Sequence, residues 1–270
     1  MSSDKDELTP KTPSLPLHTP ILGSSFSSVL DSSGLGPRWA IPATGELPEV
    51  AEGTTVLALR FDGGVVMAGD RRAVTGNVIA HKRVQKVYPA DDFSAVAISG
   101  TAGMAGELIR LFQTELEHYE KIEGTRLSLE GKANYLARMV RNNLPLAFQG
   151  LAVVPLFCGY DETDAAGKLY TFDVVGGRYE EQDYATTGSG GQEAKAFLKN
   201  AYRPDLSEED ALGIAVEALV AAAEEDVATG GPDLKRGILP NVVTVTDAGL
   251  VEIPDERLAP IAAEVLERRP

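Results

Sequence analysis

The pair Gly53-Thr54 stands where a Ser- and Pro-rich leader gives way to a strand-forming run, Thr55-Val-Leu-Ala-Leu-Arg-Phe61. A cut between the two would leave Thr54 with a free α-amine beside its own hydroxyl. An α-amine has a reference pKa of about 8, roughly two units below lysine, so an appreciable fraction is neutral near pH 7. It can then serve as base for the hydroxyl of the same residue, directly or through a water. Branching at Cβ restricts the rotamers of that hydroxyl. Gly53, lacking a Cβ, tolerates a distorted scissile peptide. Taken alone, the junction favours the plainer reading, a linker followed by a domain that happens to begin with threonine.

Such a nucleophile needs neighbours, and the order of the chain supplies candidates. Asp70 ends the second strand in Ala68-Gly-Asp-Arg-Arg72, and Lys86 sits in Arg83-Val-Gln-Lys-Val87. A buried lysine near the amine would disfavour its protonation, and an aspartate would keep the lysine charged. Gly100 lies between a strand and a helix, where exposed amides and the helix dipole favour a developing oxyanion. Singly these residues say little, since surface Asp and Lys are mostly solvated. Their ordered combination with Gly53-Thr54 points to nucleophilic hydrolysis.

Other chemistries fit less well. Gly100-Thr-Ala-Gly103-Met-Ala-Gly106 has the wrong glycine spacing for a dinucleotide fingerprint and leads into a second helix, not a parallel strand. Gly188-Ser-Gly-Gly191 lacks the Lys-Ser/Thr of a phosphate loop. His18, His81 and His118 have no recognisable triad partner, and three dispersed histidines with one cysteine offer no metal-ligand spacing. Cys158, in an apolar strand, reads as a small core residue.

The elements that must position these groups follow from composition and periodicity. Of the 270 residues, Lys and Arg make up 25 and Asp and Glu 40, for a net charge of −15. That acidity argues against a nucleic-acid binder, which needs a basic face. A single cysteine excludes an internal disulfide framework and suits a reducing cytoplasm. Neither a membrane-spanning run nor a signal peptide is read from the sequence. Residues 1–53 hold nine Ser and seven of the sixteen Pro, with too little apolar area to offset their ordering entropy. After them, Thr55–Phe61 and Val65–Ala68 read as a hairpin across Asp62-Gly-Gly64. Asp92–Ile98 reads as a further strand.

Two helical patterns follow, through Met104, Leu108, Leu111, Phe112 and Tyr119, and through Leu129, Ala133, Leu136, Val140 and Leu144. Pro145 should kink or end the second. Their apolar faces suit either contacts between subunits or the core of one domain. Strands are expected around Pro155–Tyr160, Leu169–Val175 and Glu181–Thr186, then a helix from Gln192 to Ala201. Ser207 and Asp210 have capping-box spacing for a long helix through Leu212, Val216, Leu219 and Ala223, ended by Gly230-Gly-Pro232. Val242–Thr246 and Leu250–Ile253 make a last hairpin, and a short helix starts at Asp255. Hairpins with segregated pairs of helices imply an α+β layered sandwich of mainly antiparallel sheets.

With these elements in place, the chain resembles the β-type subunits of the 20S proteasome, most closely the actinobacterial kind, from Gly53 to about Glu267. The matching motifs are Gly53-Thr-Thr-Val56, Gly69-Asp-Arg-Arg-Ala73, Val84-Gln-Lys-Val87, Ser99-Gly-Thr-Ala-Gly103, Thr187-Gly-Ser-Gly190 and Asp226-Val-Ala-Thr-Gly-Gly231. The resemblance implies a four-layer αββα sandwich, the N-terminal nucleophile hydrolase fold. Residues 1–53 would be a propeptide removed autocatalytically, and residues 54–270 the catalytic domain. Thr54 would be the nucleophile, Lys86 the lysine that tunes it, Asp70 its partner and Gly100 the oxyanion donor. Ser189 and Asp226 would support the threonine amine, and Arg72 would be a structural arginine. Val74 stands where many relatives have Thr, which keeps backbone pairing with an extended substrate. Thr229 stands for a frequent Ser.

The positions matching the substrate pocket, Ala73, Val84, Ile98 and Ala102, are all apolar, which implies cleavage after apolar residues. The resemblance further implies heptameric β rings flanked by rings of α-type subunits (α7β7β7α7). An ATPase ring would deliver unfolded proteins, tagged by a small ubiquitin-like protein. Peptide cleavage itself would need no cofactor. Two alternatives remain: a non-catalytic structural ring subunit, which would usually lack the threonine or the lysine, and the bacterial two-component ATP-dependent threonine protease. Relatives of the latter kind have a short leader or none.

Overall fold

The computed structural model describes residues 53–76 and 78–269. The expectation for the leader therefore lies outside the described residues, apart from Gly53. Twelve strands and six helices follow in the described residues. The strands are β1 (Thr55–Phe61), β2 (Gly64–Gly69), β3 (Ala73–Thr75), β4 (Val78–His81), β5 (Val87–Asp91), β6 (Ser94–Gly100), β7 (Val153–Asp161), β8 (Ala166–Phe172), β9 (Arg178–Glu181), β10 (Tyr184–Gly188), β11 (Asn241–Thr246) and β12 (Gly249–Glu252). The helices are α1 (Ala102–Glu123), α2 (Leu129–Asn142), α3 (Leu144–Ala147), α4 (Gly191–Ala201), α5 (Glu208–Glu225) and α6 (Asp255–Arg268).

Two five-stranded antiparallel sheets carry the fold, in the orders β10-β1-β2-β11-β12 and β5-β6-β7-β8-β9. Side chains alternate faces along a strand, and here both faces are covered. In β1, Leu57 and Leu59 pack against Leu198, Leu212, Val216 and Leu219 of α4 and α5. Val56 and Ala58 point the other way, into a layer shared with Ala95, Ala97, Leu156 and Cys158 of the second sheet. On the far side of that sheet, Val96, Ile98 and Phe157 meet Phe112 of α1 and Leu136 of α2. Three apolar layers between four structural ones make the expected αββα sandwich. Much of the apolar faces of α1 and α2 fills this domain's own core, while Tyr119 stays exposed.

Local chemistry sets most boundaries where the sequence places them. The β1–β2 hairpin turns on Asp62-Gly63, with Phe61 opposite Gly64 and Gly63 at φ 95°, a conformation natural to glycine. The Ser207 hydroxyl accepts from the Asp210 amide at 3.1 Å and caps α5. Pro145 sits in the first turn of α3, so the helical pattern through Leu144 breaks at Asn143.

Several boundaries differ, among them the strand expected over Leu169–Val175, which spans Ala166–Phe172. The segment Glu181–Thr186 is not one strand: β9 and β10 flank Gln182-Asp183, and the chain passes there from one sheet to the other. The strand expected from Asp92 begins at Ser94, because the Asp91 carboxylate accepts from the Phe93 amide and the Ser94 hydroxyl and holds a turn. Helix α5 stops at Glu225, with Asp226 as its C-cap, five residues before the glycines expected to end it. Among the described residues, no helix is long and apolar enough to cross a membrane, and no cluster of His, Cys, Asp or Glu could hold a metal ion.

Candidate active site

Thr54 immediately precedes β1 and is buried. Its carbonyl accepts from the Ser189 amide at 2.9 Å, and the β1–β10 ladder begins with Thr55 opposite Gly188. Gly188 has φ 103°, and a Cβ placed there would lie 1.7 Å from the Thr54 oxygen. No side chain fits beneath the candidate nucleophile.

Asp70 follows β2, the strand paired with β1, and is fully buried. Its Oδ1 accepts from the Thr55 amide at 2.9 Å and from Lys86 Nζ at 2.5 Å. Its Oδ2 accepts from the amides of Arg72 at 2.8 Å and Gly230 at 2.9 Å. Four donors on two oxygens match the capacity of an ionised carboxylate.

Lys86, on the segment entering β5, is buried and turns its ammonium toward the junction. Its three N–H groups meet three acceptors: Asp70 Oδ1, the Arg72 carbonyl at 2.5 Å and the Gly53 carbonyl at 2.9 Å. Its backbone amide is fixed by Asn241 Oδ1 at the start of β11. Burial draws the Lys86 pKa below its ordinary value, with Asp70 and Asp226 opposing that shift. The oxygen it touches belongs to the Gly53-Thr54 peptide.

A second cluster faces this one. Asp226 Oδ2 accepts from the hydroxyls of Ser189 and Thr229, both at 2.6 Å, and Oδ1 accepts from the Ala228 amide at 3.1 Å. Partial burial alone would raise the Asp226 carboxyl pKa. The bonds from Ser189, Thr229 and Ala228, with the charge of Lys86, outweigh it and hold the group below its ordinary range. Arg72 joins the two clusters: its amide binds Asp70, its carbonyl accepts from Lys86, and its guanidinium reaches the Val227 carbonyl at 2.9 Å.

Gly100 is the last residue of β6, just before α1. It has φ 110°, and a Cβ there would lie 2.2 Å from the Ala152 oxygen. No side chain caps the first turn of α1, so its amides keep their donor character. The neighbouring Ser99 hydroxyl bonds that of Thr187 at 2.9 Å, tying this turn to the β10 end that meets Thr55.

Of the expected pocket residues, Val74 is nearest the junction: its Cγ2 lies 3.1 Å from a Cβ placed on Gly53. Ala73 is buried in β3, and the Val84 amide donates to the Arg71 carbonyl at 3.0 Å. Ile98 joins the apolar cluster under α1 and α2. Ala102 opens α1, and its side chain lies outside the described residues. The reading of the sequence passed over the Gly190 and Gly230 amides, Asn241 and the Thr55 hydroxyl. Only Thr55, adjacent to the nucleophile, carried a signal that could have found it.

Residues 50–233 match the family model described as Proteasome subunit. A "Proteasome subunit beta" of Acidimicrobium ferrooxidans is 52% identical over 253 residues, 93% of this chain and 91% of that one. The same name belongs to a Streptomyces griseus protein, 54% identical over 234 residues, 87% and 83% of the two chains. It also belongs to one from Acidothermus cellulolyticus, 49% identical over 260 residues, 94% and 90%. With an αββα sandwich built on paired antiparallel sheets, the chain belongs to the proteasome subunit family, as a β subunit of the actinobacterial type.

Proposed function

We propose that the chain is a catalytic 20S β subunit, a threonine endopeptidase made as a zymogen with residues 1–53 as its propeptide and 54–270 as the catalytic domain. The observation that carries this reading is the Lys86 ammonium, backed by buried Asp70 and hydrogen-bonded to the carbonyl of the Gly53-Thr54 peptide. Self-processing starts with attack of Thr54 Oγ1 on the Gly53 carbonyl carbon. The hydroxyl proton passes to the departing amide nitrogen, so the peptide bond becomes an ester and Thr54 gains a free amine. Lys86 stabilises negative charge growing on the Gly53 oxygen. Water then hydrolyses the ester, releasing the leader as a carboxylate. Holding hydroxyl and carbonyl in one chain makes the attack intramolecular.

In the mature enzyme the Thr54 amine takes the hydroxyl proton as Oγ1 attacks a substrate carbonyl. The Lys86 ammonium, which Asp70 keeps charged against the opposing effect of burial, disfavours a second positive charge beside it. The Gly100 amide, at a strand end where a side chain would collide with Ala152, would donate to the oxyanion. Ser189 and Asp226 orient the amine side, and Ala73, Val74, Val84, Ile98 and Ala102 would line an apolar substrate pocket. Assembly with α-type subunits into α7β7β7α7 particles in the cytoplasm, and delivery of tagged unfolded proteins by an ATPase ring, complete the reading.

A non-catalytic ring subunit would have no need of a buried lysine on this carbonyl. The test is the intact mass of the chain in particles co-expressed with α subunits, for wild type and Thr54→Ala. Wild type is expected to begin at Thr54 and to cleave peptides, and Thr54→Ala to keep residues 1–53. A wild-type chain that keeps its leader in complete particles would overturn the proposal.

A further inference from the structure

We propose that Thr55, the residue after the nucleophile, is a positioning residue whose hydroxyl locks the Asp226 side of the site to the Asp70–Lys86 side. This rests on the catalytic reading above. Thr55 is fully buried, and every polar group it has is engaged by a site residue. Its amide donates to Asp70 Oδ1 at 2.9 Å, and its carbonyl accepts from the Asp70 amide at 3.1 Å. Its hydroxyl lies 2.6 Å from Thr229 Oγ1 and 2.9 Å from the Gly190 amide nitrogen.

The direction of these bonds follows from counting protons. Asp226, held ionised at neutral pH, can only accept, so the single hydroxyl proton of Thr229 goes to Asp226 Oδ2 at 2.6 Å. Thr229 Oγ1 must then accept from Thr55, whose own oxygen accepts from the Gly190 amide. The chain therefore runs one way: Gly190 N–H to Thr55, Thr55 O–H to Thr229, Thr229 O–H to Asp226. The Ser189 hydroxyl ends on the same carboxylate oxygen.

Two features make this a coupling device and not merely a satisfied core hydroxyl. Gly190 and Ser189 are consecutive, and the Ser189 amide holds the Thr54 carbonyl. Pulling on Thr55 Oγ1 therefore moves the peptide that fixes the nucleophile. A Cβ placed on Gly190 would lie 2.7 Å from Thr229 Oγ1 and 2.8 Å from Thr55 Oγ1, so the loop approaches as closely as glycine allows. Valine at 55 keeps the branched shape and removes the donor and acceptor. The Gly190 amide and Thr229 oxygen would lose their partner while still buried, and the geometry of the site would loosen.

The experiment compares Thr55→Val and Thr55→Ser with wild type in α/β co-expressed particles. It reads leader removal by intact mass, then kcat and KM of the matured fraction on a fluorogenic peptide. Thr55→Val is expected to lower kcat about ten-fold or more with KM nearly unchanged, or to slow leader removal by a similar factor, while Thr55→Ser stays close to wild type. Wild-type rates in Thr55→Val overturn the inference. So does a loss that serine fails to rescue, which would assign the effect to the methyl group and its packing. If Thr55→Val does not assemble, Thr229→Val against Thr229→Ser breaks the same chain at its next link, removing the bonds to both Thr55 and Asp226, and is read by the same criteria. In the double valine variant, a loss no greater than that of the worse single variant supports one shared chain, and multiplied losses overturn it. An inactive, unprocessed wild type would instead sink the catalytic reading itself.

Discussion

Asp226 shows how one side chain can be a stability element and a candidate site element at once. Its carboxylate terminates three donors from Ser189, Thr229 and Ala228. Partial burial opposes ionisation, yet those bonds leave its pKa below the ordinary value of 3.8. A carboxyl depressed on folding contributes stability above its unfolded pKa, and that contribution is lost as pH falls through the folded value. Asp226→Asn should therefore lower the thermal midpoint near neutral pH. The gap to wild type should narrow as the pH drops below about 4. Melting curves across that range check it, and a gap that stays constant with pH would rule out the carboxylate as its source. The Gly230 and Ala228 amides bind carboxylates that the motifs marked, but a backbone donor has no residue type of its own to mark it.

Elements bring these side chains together by pairing. Antiparallel pairing of β1 with β2 brings Asp70 back to Thr55, and pairing of β1 with β10 carries Ser189 to Thr54. The second ladder depends on close backbone approach at Gly188, where a Cβ would sit 1.7 Å from the Thr54 oxygen. Gly188→Ala must move that carbonyl or the β10 end, on top of about 1–3 kcal/mol for a non-glycine residue at positive φ. The expected outcome is an unprocessed precursor with a lowered thermal midpoint, read by intact mass and melting. Normal maturation of Gly188→Ala would show that the nucleophile does not need this contact. The strands that periodicity missed were β3, β4 and β5. β3 has three residues, β4 is exposed throughout, and a bulge interrupts β5, so none shows a clean alternation.

At the scale of the molecule, two sheets face each other and bury a layer that includes Cys158. Full burial pushes its thiol pKa far above the ordinary range, so almost no thiolate forms. In native particles Cys158 should resist iodoacetamide for hours, and it should react quickly once denaturant opens the sandwich. Rapid native labelling would contradict the packing of the two sheets. The same layering explains the sequence of β1, apolar on both faces because each is covered. The outer helices differ in how they close: α1 and α2 carry a two-sided pattern, whereas α5 is buried along much of its length. An ion pair at 2.5 Å between buried Lys132 and partly exposed Asp91 ties α2 to the end of β5.

Composition and periodicity by themselves determined the layered α+β class and most of the element boundaries, and motif order with the family resemblance marked the candidates Thr54, Asp70, Lys86, Gly100, Ser189 and Asp226. These are local properties, carried by a capping serine, a hairpin glycine or a strand run, or by residue types whose order the motifs preserve. Only the tertiary structure decided which atoms meet. It put Lys86 on the Gly53 carbonyl, gave Asp70 four donors, and joined Thr55 to Asp226 through Thr229. Those contacts link residues as far apart as 174 positions, through backbone groups and buried hydroxyls whose partners depend on sheet pairing. The fate of Glu181–Thr186 has the same cause: its residues are compatible with one strand, and the packing of two sheets divides them between β9 and β10.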